Sequence, residues 1–186
     1  LALSRSVLRE SYEALQKSLP NVAIYYAIKA NPHREVLRLL RAAGSRFDVS
    51  SDEEIRLARR AGAGAEDMLY TKPINKPSEL RFAYGAGLRW FVVDNEAEIT
   101  KLAACAPGVN VLVRLRVSTR DAVVDLSYKF GAQSDDVLRL LQVARRAKLR
   151  PRASRSGRFS KASQIVGPQY HAAARRTMLP PSRPET

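Results

Sequence analysis

Lys29 closes an apolar run, Ile24-Tyr25-Tyr26-Ala27-Ile28, and Asn31-Pro32 follows it at once. A primary amine held against apolar neighbours loses hydration. That favours its neutral, nucleophilic form and suits it to Schiff-base chemistry. The same position also fits a strand-end lysine pointing into solvent. Asp48, Ser50 and Glu54 make a second polar group. Their carboxylates could face a cationic ring or a substrate amine, while Ser50 and Glu54 equally suit helix capping. Arg114 and Arg116 alternate along a third run and so share one face. Inside a closed structure they would need an anion such as a phosphate or carboxylate; on an open edge they need none. His33 reads as a surface turn residue. His171 stands far from it, so the two histidines make no metal site.

These residues fall at the ends of short apolar runs: Val22–Ile28, Arg46–Ser50, Met68–Thr71, Trp90–Val93 and Val109–Leu115. Each is rich in Val, Ile, Tyr, Phe or Leu and short enough for a strand buried on both faces. Amphipathic helical patterns lie between them. One carries Val36, Leu37, Leu39 and Leu40; the others cover Glu54–Ala61, Ser78–Tyr84, Glu96–Ala104 and Asp135–Ala147. Gly44, Gly62, Gly64, Gly85 and Gly87 punctuate the helix ends, and Ser51, Asp52 and Asn95 stand where caps belong. A spacing of about 20 residues between strand ends suits parallel strands joined by crossover helices.

Such repeats build either a doubly wound sheet or a (β/α)₈ barrel. No Gly-x-Gly-x-x-Gly turn follows the first strand, which weakens the dinucleotide-binding alternative. Polar residues instead gather at strand C-terminal ends: Lys29, Asn31, Asp48, Ser50, Thr71, Lys72, Asp94, Arg114 and Arg116. Barrel active sites assemble there. The reading is an α/β protein, a partial barrel of five strands over residues 1–150, followed by an irregular basic, Pro-rich tail over 151–186.

The chain has 186 residues, 45% hydrophobic and 27% charged, as in an ordinary globular protein. Its net charge of +14 is not patterned for nucleic acid. From Leu149 onward there are eight Lys or Arg and one acid, so the expected tail carries half the excess. Elsewhere Arg is interleaved with Glu and Asp, as an exposed helix face would have it. Neither nucleic acid nor a membrane is expected as a partner. The single cysteine, Cys105, lies on a helical pattern and reads as a small buried hydrophobe. It fits a reducing, cytoplasmic setting.

Three segments together resemble the fold-type III pyridoxal-phosphate-dependent decarboxylases of the ornithine, lysine and diaminopimelate type. They are Tyr26-Ala27-Ile28-Lys29-Ala30-Asn31-Pro32, Phe47-Asp48-Val49-Ser50-Ser51 with Glu53-Glu54-Ile55, and Leu126-Ser127-Tyr128-Lys129-Phe130-Gly131. The resemblance runs from about Leu8 to Arg150. It implies an alanine-racemase-like N-terminal barrel that binds pyridoxal phosphate, in a protein that works as a homodimer on a small amino acid. Lys29 would form the Schiff base with the cofactor, Asp48 and Glu54 would line it, and Arg114 is placed with them. Ornithine is the first expected substrate, lysine the second and diaminopimelate the third.

The family's sixth strand carries Phe-His-Val-Gly-Ser-Gln, whose His stacks on the cofactor ring. Here the nearest stretch is Phe159-Ser160-Lys161-Ala162-Ser163-Gln164, with Ser160 in the place of that His. No role is carried to Asp125. The departure, with the Pro-rich end, leads us to expect a truncated or frameshifted piece without appreciable decarboxylase activity and with a mobile tail. The alternative expectation is a non-catalytic, cofactor-binding or regulatory fragment that associates with a full-length homologue.

Overall fold

β-Branched and aromatic residues concentrate in the runs that pair, and the segments between them wind into helices. The computed structural model describes residues 4–20, 22–116 and 131–154. In chain order these form α1 (Arg5–Ser18), β1 (Tyr25–Ala27), α2 (Arg34–Ala42), β2 (Arg46–Val49), α3 (Asp52–Arg60), β3 (Met68–Tyr70), α4 (Pro77–Gly85), β4 (Trp90–Val93), α5 (Glu96–Cys105), β5 (Asn110–Arg114), α6 (Val137–Arg146) and β6 (Arg150–Ser154). The strands make one sheet in the order β1-β2-β3-β4-β5-β6, and every pairing is parallel. This is a partial (β/α)₈ barrel.

Alternation along each strand separates two apolar layers. Phe47 and Val49, Met68 and Tyr70, Phe91 and Val93, and Val111 and Val113 pack in one core with Ile55, Leu80, Ile99, Leu102 and Leu140 from the crossover helices. Tyr70 and Phe91 sit ring to ring, centroids 5.6 Å apart. The other face carries a smaller cluster of Leu69, Val92 and Leu112, flanked by Tyr25 and Trp90. Cys105 is buried in the larger core, as its helical setting implies. No helix among the described residues is long and apolar enough to cross a membrane.

Two elements depart from the sequence expectation. Helix α1 has no counterpart in it. Only Tyr12 on α1 is buried, against Val36 and Leu40 of α2, so its apolar stripe is thin. The second is β6, where irregular chain was expected from Leu149 and five strands in all. Its register pairs Asn110 with Arg150 and Arg114 with Ser154. The Arg150 N–H donates to Val109 O over 2.9 Å. In a parallel ladder alternate residues bond to alternate sides, so Pro151 turns its nitrogen away from β5, to the outer edge. A proline is tolerated at that position because it has no N–H to waste there.

The helices stop in one repeated way. After α2, α3, α4 and α6 the chain closes two bonds, such as Gly44 N–H to Arg41 O and Ser45 N–H to Leu40 O, before the next strand. The residue at the turn has a positive φ each time. It is glycine after α2, α3 and α4, but Lys148, at φ 60°, after α6. A side chain in the left-handed region costs energy that glycine avoids. Replacing Lys148 with Gly should therefore raise stability by about 1 kcal/mol. Urea unfolding with an unchanged slope would show it, and a lower midpoint would count against the cap argument.

Candidate functional site

The parallel order carries every strand's C-terminal end to the same edge of the sheet. Register aligns Ala27, Asp48 and Leu69 across β1, β2 and β3. The Thr71 N–H donates to Val49 O over 3.0 Å and so extends the ladder one residue beyond β3. By alternation Asp48, Thr71, Asp94 and Arg114 lie on the face away from the helices, opposite to Phe47, Tyr70, Val93 and Val113.

Lys29 lies in a short 3₁₀ turn, Ile28–Ala30, that follows β1 directly. Asn31-Pro32 ends it, with the Tyr26 hydroxyl donating to Asn31 O at 3.4 Å and Asn31 Oδ1 accepting from the His33 N–H at 3.0 Å. Of the two placements its position allows, Lys29 takes the solvent-facing one among the described residues. Ile28 is buried, but Lys29 is exposed. The strand stops at Ala27, and β1 lies at one edge of the described sheet. His33 caps α2 through Nδ1, which accepts from the Glu35 N–H at 3.3 Å, in keeping with a turn residue.

Asp48 is the buried charge of the site, only 5% exposed. Burial pushes its carboxyl above the usual carboxylate range, and the neighbouring charge of Glu54 pushes the same way. A hydrogen bond from the Thr71 hydroxyl to Oδ1 and the charges of Lys29 and Arg114 act against it. Lys29, Glu54 and Arg114 therefore act on Asp48 from three other elements.

Glu54 stands in the first turn of α3 and bonds to both residues before the helix. Its Oε2 accepts from the Ser50 N–H at 2.6 Å and the Ser50 hydroxyl at 2.9 Å, while the Glu54 N–H donates to Ser51 Oγ at 3.2 Å. Ser51 thus caps α3, while the Glu54 carboxylate holds Ser50 at the end of β2. Lys72, also at a strand end, is drawn to the start of α4, where its Nζ meets Glu79 at 2.8 Å. That contact holds the Glu79 carboxyl below the usual range.

The chain returns to the sheet at Gly131. Its N–H donates to Asp94 Oδ2 at 3.2 Å, and Ala132 exchanges 2.8 Å bonds with Arg114 O and the Arg116 N–H. Arg116 Nε is buried without a hydrogen-bond partner among the described residues. Leu126–Phe130, Asp125, Phe159–Gln164 and His171 lie outside the described residues, as does the expected tail beyond Ser154.

Sequence reasoning missed a polar knot behind the loop that follows β3. Glu98, buried on α5, accepts from the Asn75 N–H at 3.2 Å and from Lys101 Nζ, and Nζ also donates to Asn75 O at 2.8 Å. The signal was a carboxylate at a helix position where periodicity wants an apolar residue.

An accessible amine beside a buried carboxylate, with a guanidinium on the same face, suits a cofactor that offers an aldehyde and an anionic group. A family model described as pyridoxal-dependent decarboxylase, pyridoxal binding domain, matches residues 5–150. The lysine/ornithine decarboxylase of Selenomonas ruminantium is 38% identical over 149 residues, covering 80% of this chain and 38% of that protein. The crystal structure of lysine decarboxylase from the same organism superposes with a TM-score of 0.75 at 37% identity, covering 80% of this chain and 39% of that one. A lysine/ornithine decarboxylase from Vibrio vulnificus, complexed with putrescine, gives a TM-score of 0.72 at 34% identity, covering 81% of this chain and 39% of that one. The chain thus spans about two fifths of the length of these relatives.

Two outcomes follow from the geometry. Asp48 gains protons more readily folded than unfolded, so its contribution to stability is full below the unfolded carboxylate range and is lost as pH rises through its raised folded value. Asp48→Asn should stabilise the chain at neutral pH, with the gain shrinking on acidification; a gain that grows at low pH would reverse the sign argument. Gly131 has φ 96°, and a Cβ there would lie 2.6 Å from the Arg116 backbone nitrogen. Gly131→Ala should cost about 2–3 kcal/mol in denaturant unfolding. A cost near zero would mean the return of the chain does not depend on this contact.

Proposed function

The chain belongs to the pyridoxal-dependent decarboxylases as a pyridoxal-binding domain, and we propose that the protein carrying it decarboxylates ornithine. Pyridoxal phosphate is the cofactor of this domain. The observation that carries the proposal is the placement, at adjacent strand ends, of the Lys29 amine near enough to the buried Asp48 carboxyl for its charge to act on it. The class of basic amino acid is common to the relatives: one is named for lysine and ornithine, and another holds putrescine, the amine left when ornithine loses CO₂. Lysine is the second candidate and diaminopimelate the third.

Bound, the cofactor supplies an electron-accepting ring; binding, orientation and electrostatics are the protein's part. In this proposal Lys29 offers the amine that anchors the cofactor's aldehyde. Asp48 and Glu54 place negative charge where a cationic ring or a substrate ammonium is to be held. Arg114 contributes the positive charge for an anionic group. Homodimeric assembly and a cytoplasmic setting belong to the same proposal, the latter supported by the buried free thiol of Cys105.

Borohydride reduction of the protein mixed with pyridoxal phosphate, followed by peptide mapping, should leave the pyridoxyl label on Lys29. Lys29→Ala should lose the cofactor's absorbance shift. Labelling spread over Lys17, Lys72 and Lys101 would remove Lys29 from the site. In the full-length protein, release of labelled CO₂ should be faster from ornithine than from lysine, and Lys29→Ala should reduce it by at least about 10³. Faster release from lysine would move the substrate assignment.

A further inference from the structure

Thr71 stands one residue past β3, and its backbone bond to Val49 O continues the ladder, which sets its side chain on the same face as Asp48 of the neighbouring strand. Its hydroxyl donates to Asp48 Oδ1. We infer that Thr71 is a positioning residue of the Lys29–Asp48 site: its hydroxyl holds the Asp48 carboxyl group in one orientation. What that group is used for rests on the proposed function; the positioning itself does not.

The surroundings of Asp48 give the hydroxyl its weight. The carboxylate is buried in β2. Glu54, at the start of α3, adds a like charge. Lys29, in the turn after β1, and Arg114, at the end of β5, act in the opposite sense through their charge. Among the described residues that favour the carboxylate, Thr71 acts on it through a directed hydrogen bond and the others through charge. A charge-assisted bond of this kind is short, directional and stronger than one between neutral groups. Threonine suits the task, because branching at Cβ restricts χ1 and so limits where the hydroxyl can point. A valine would fill the same space with no donor.

The test needs no cofactor. In the full chain labelled with ¹³C at the aspartate carboxyls, the Asp48 signal is assigned by its loss in Asp48→Asn. Its titration should move to higher pH in Thr71→Val and return towards the parent in Thr71→Ser. An unchanged midpoint in Thr71→Val would overturn the inference. So would an equal shift in Thr71→Ser, since the missing methyl and not the hydroxyl would then be responsible. Should Thr71→Val fail to fold, Thr71→Ala removes the hydroxyl with less bulk and is read by the same two criteria. Pyridoxal phosphate binding, followed by absorbance, separates this inference from the wider reading. Binding weakened severalfold in Thr71→Val and kept in Thr71→Ser supports both. No binding by the parent chain would overturn the proposed function and leave the titration result to judge Thr71.

Discussion

A parallel strand cannot reach its neighbour by a hairpin; the chain must travel back along the sheet before it can pair again. In this protein α2 to α5 make that return journey for the first five strands, each packing its apolar stripe on the layer of Phe47, Met68, Phe91 and Val111. Because every strand then runs the same way, every strand also ends at the same edge. Lys29, Asp48, Thr71, Asp94 and Arg114 are dispersed in sequence, and this one geometric requirement collects them. Their chemistry is possible because the backbone ladder has no alternative way to be satisfied.

The collected groups do not share one environment. Asp48 is inside the sheet, covered and hydrogen-bonded, with its proton affinity raised by burial. Lys29 is on a turn after an edge strand of the described sheet and is exposed among the described residues. Glu54 links two neighbouring features: its backbone N–H donates to the Ser51 cap of α3, and its carboxylate holds Ser50 at the end of β2.

Much of this was readable from residue types. The runs around Phe47, Met68, Trp90 and Val111 lie within a residue or two of the observed strands, because strands buried on both faces must be apolar throughout and short. Ser51 and Asn95 cap the helices they precede, as their side chains favour. Two things were hidden for opposite reasons. Helix α1 buries too little to impose a stripe. Strand β6 is written in Arg, Pro and Ser because what holds it is the backbone ladder to β5, which leaves no mark on side-chain type. At the site, position along the strand could place Lys29 at a C-terminal end but could not say whether it would be covered. That depends on what lies beside β1, a long-range property. The Thr71–Asp48 bond was equally out of reach, since it depends on the register between two strands.

The turns that return each helix to the sheet have a consequence for how such a protein can vary. Helix α2 ends at Ala42 and β2 starts at Arg46; α4 ends at Gly85 and β4 starts at Trp90; α6 ends at Arg146 and β6 starts at Arg150. Each connection is closed by paired backbone bonds and a left-handed residue, with no slack. An inserted residue there would break the closure and shift the next strand against its neighbours, turning its apolar side chains to the wrong face. After α3 the same glycine turn is followed by a longer connection, in which the short 3₁₀ turn Ala65–Asp67 takes up the added residues before β3 begins. Length can change on this side only where such a second turn restores the alignment of the next strand, so the closing turn sets the register of the strand that follows it.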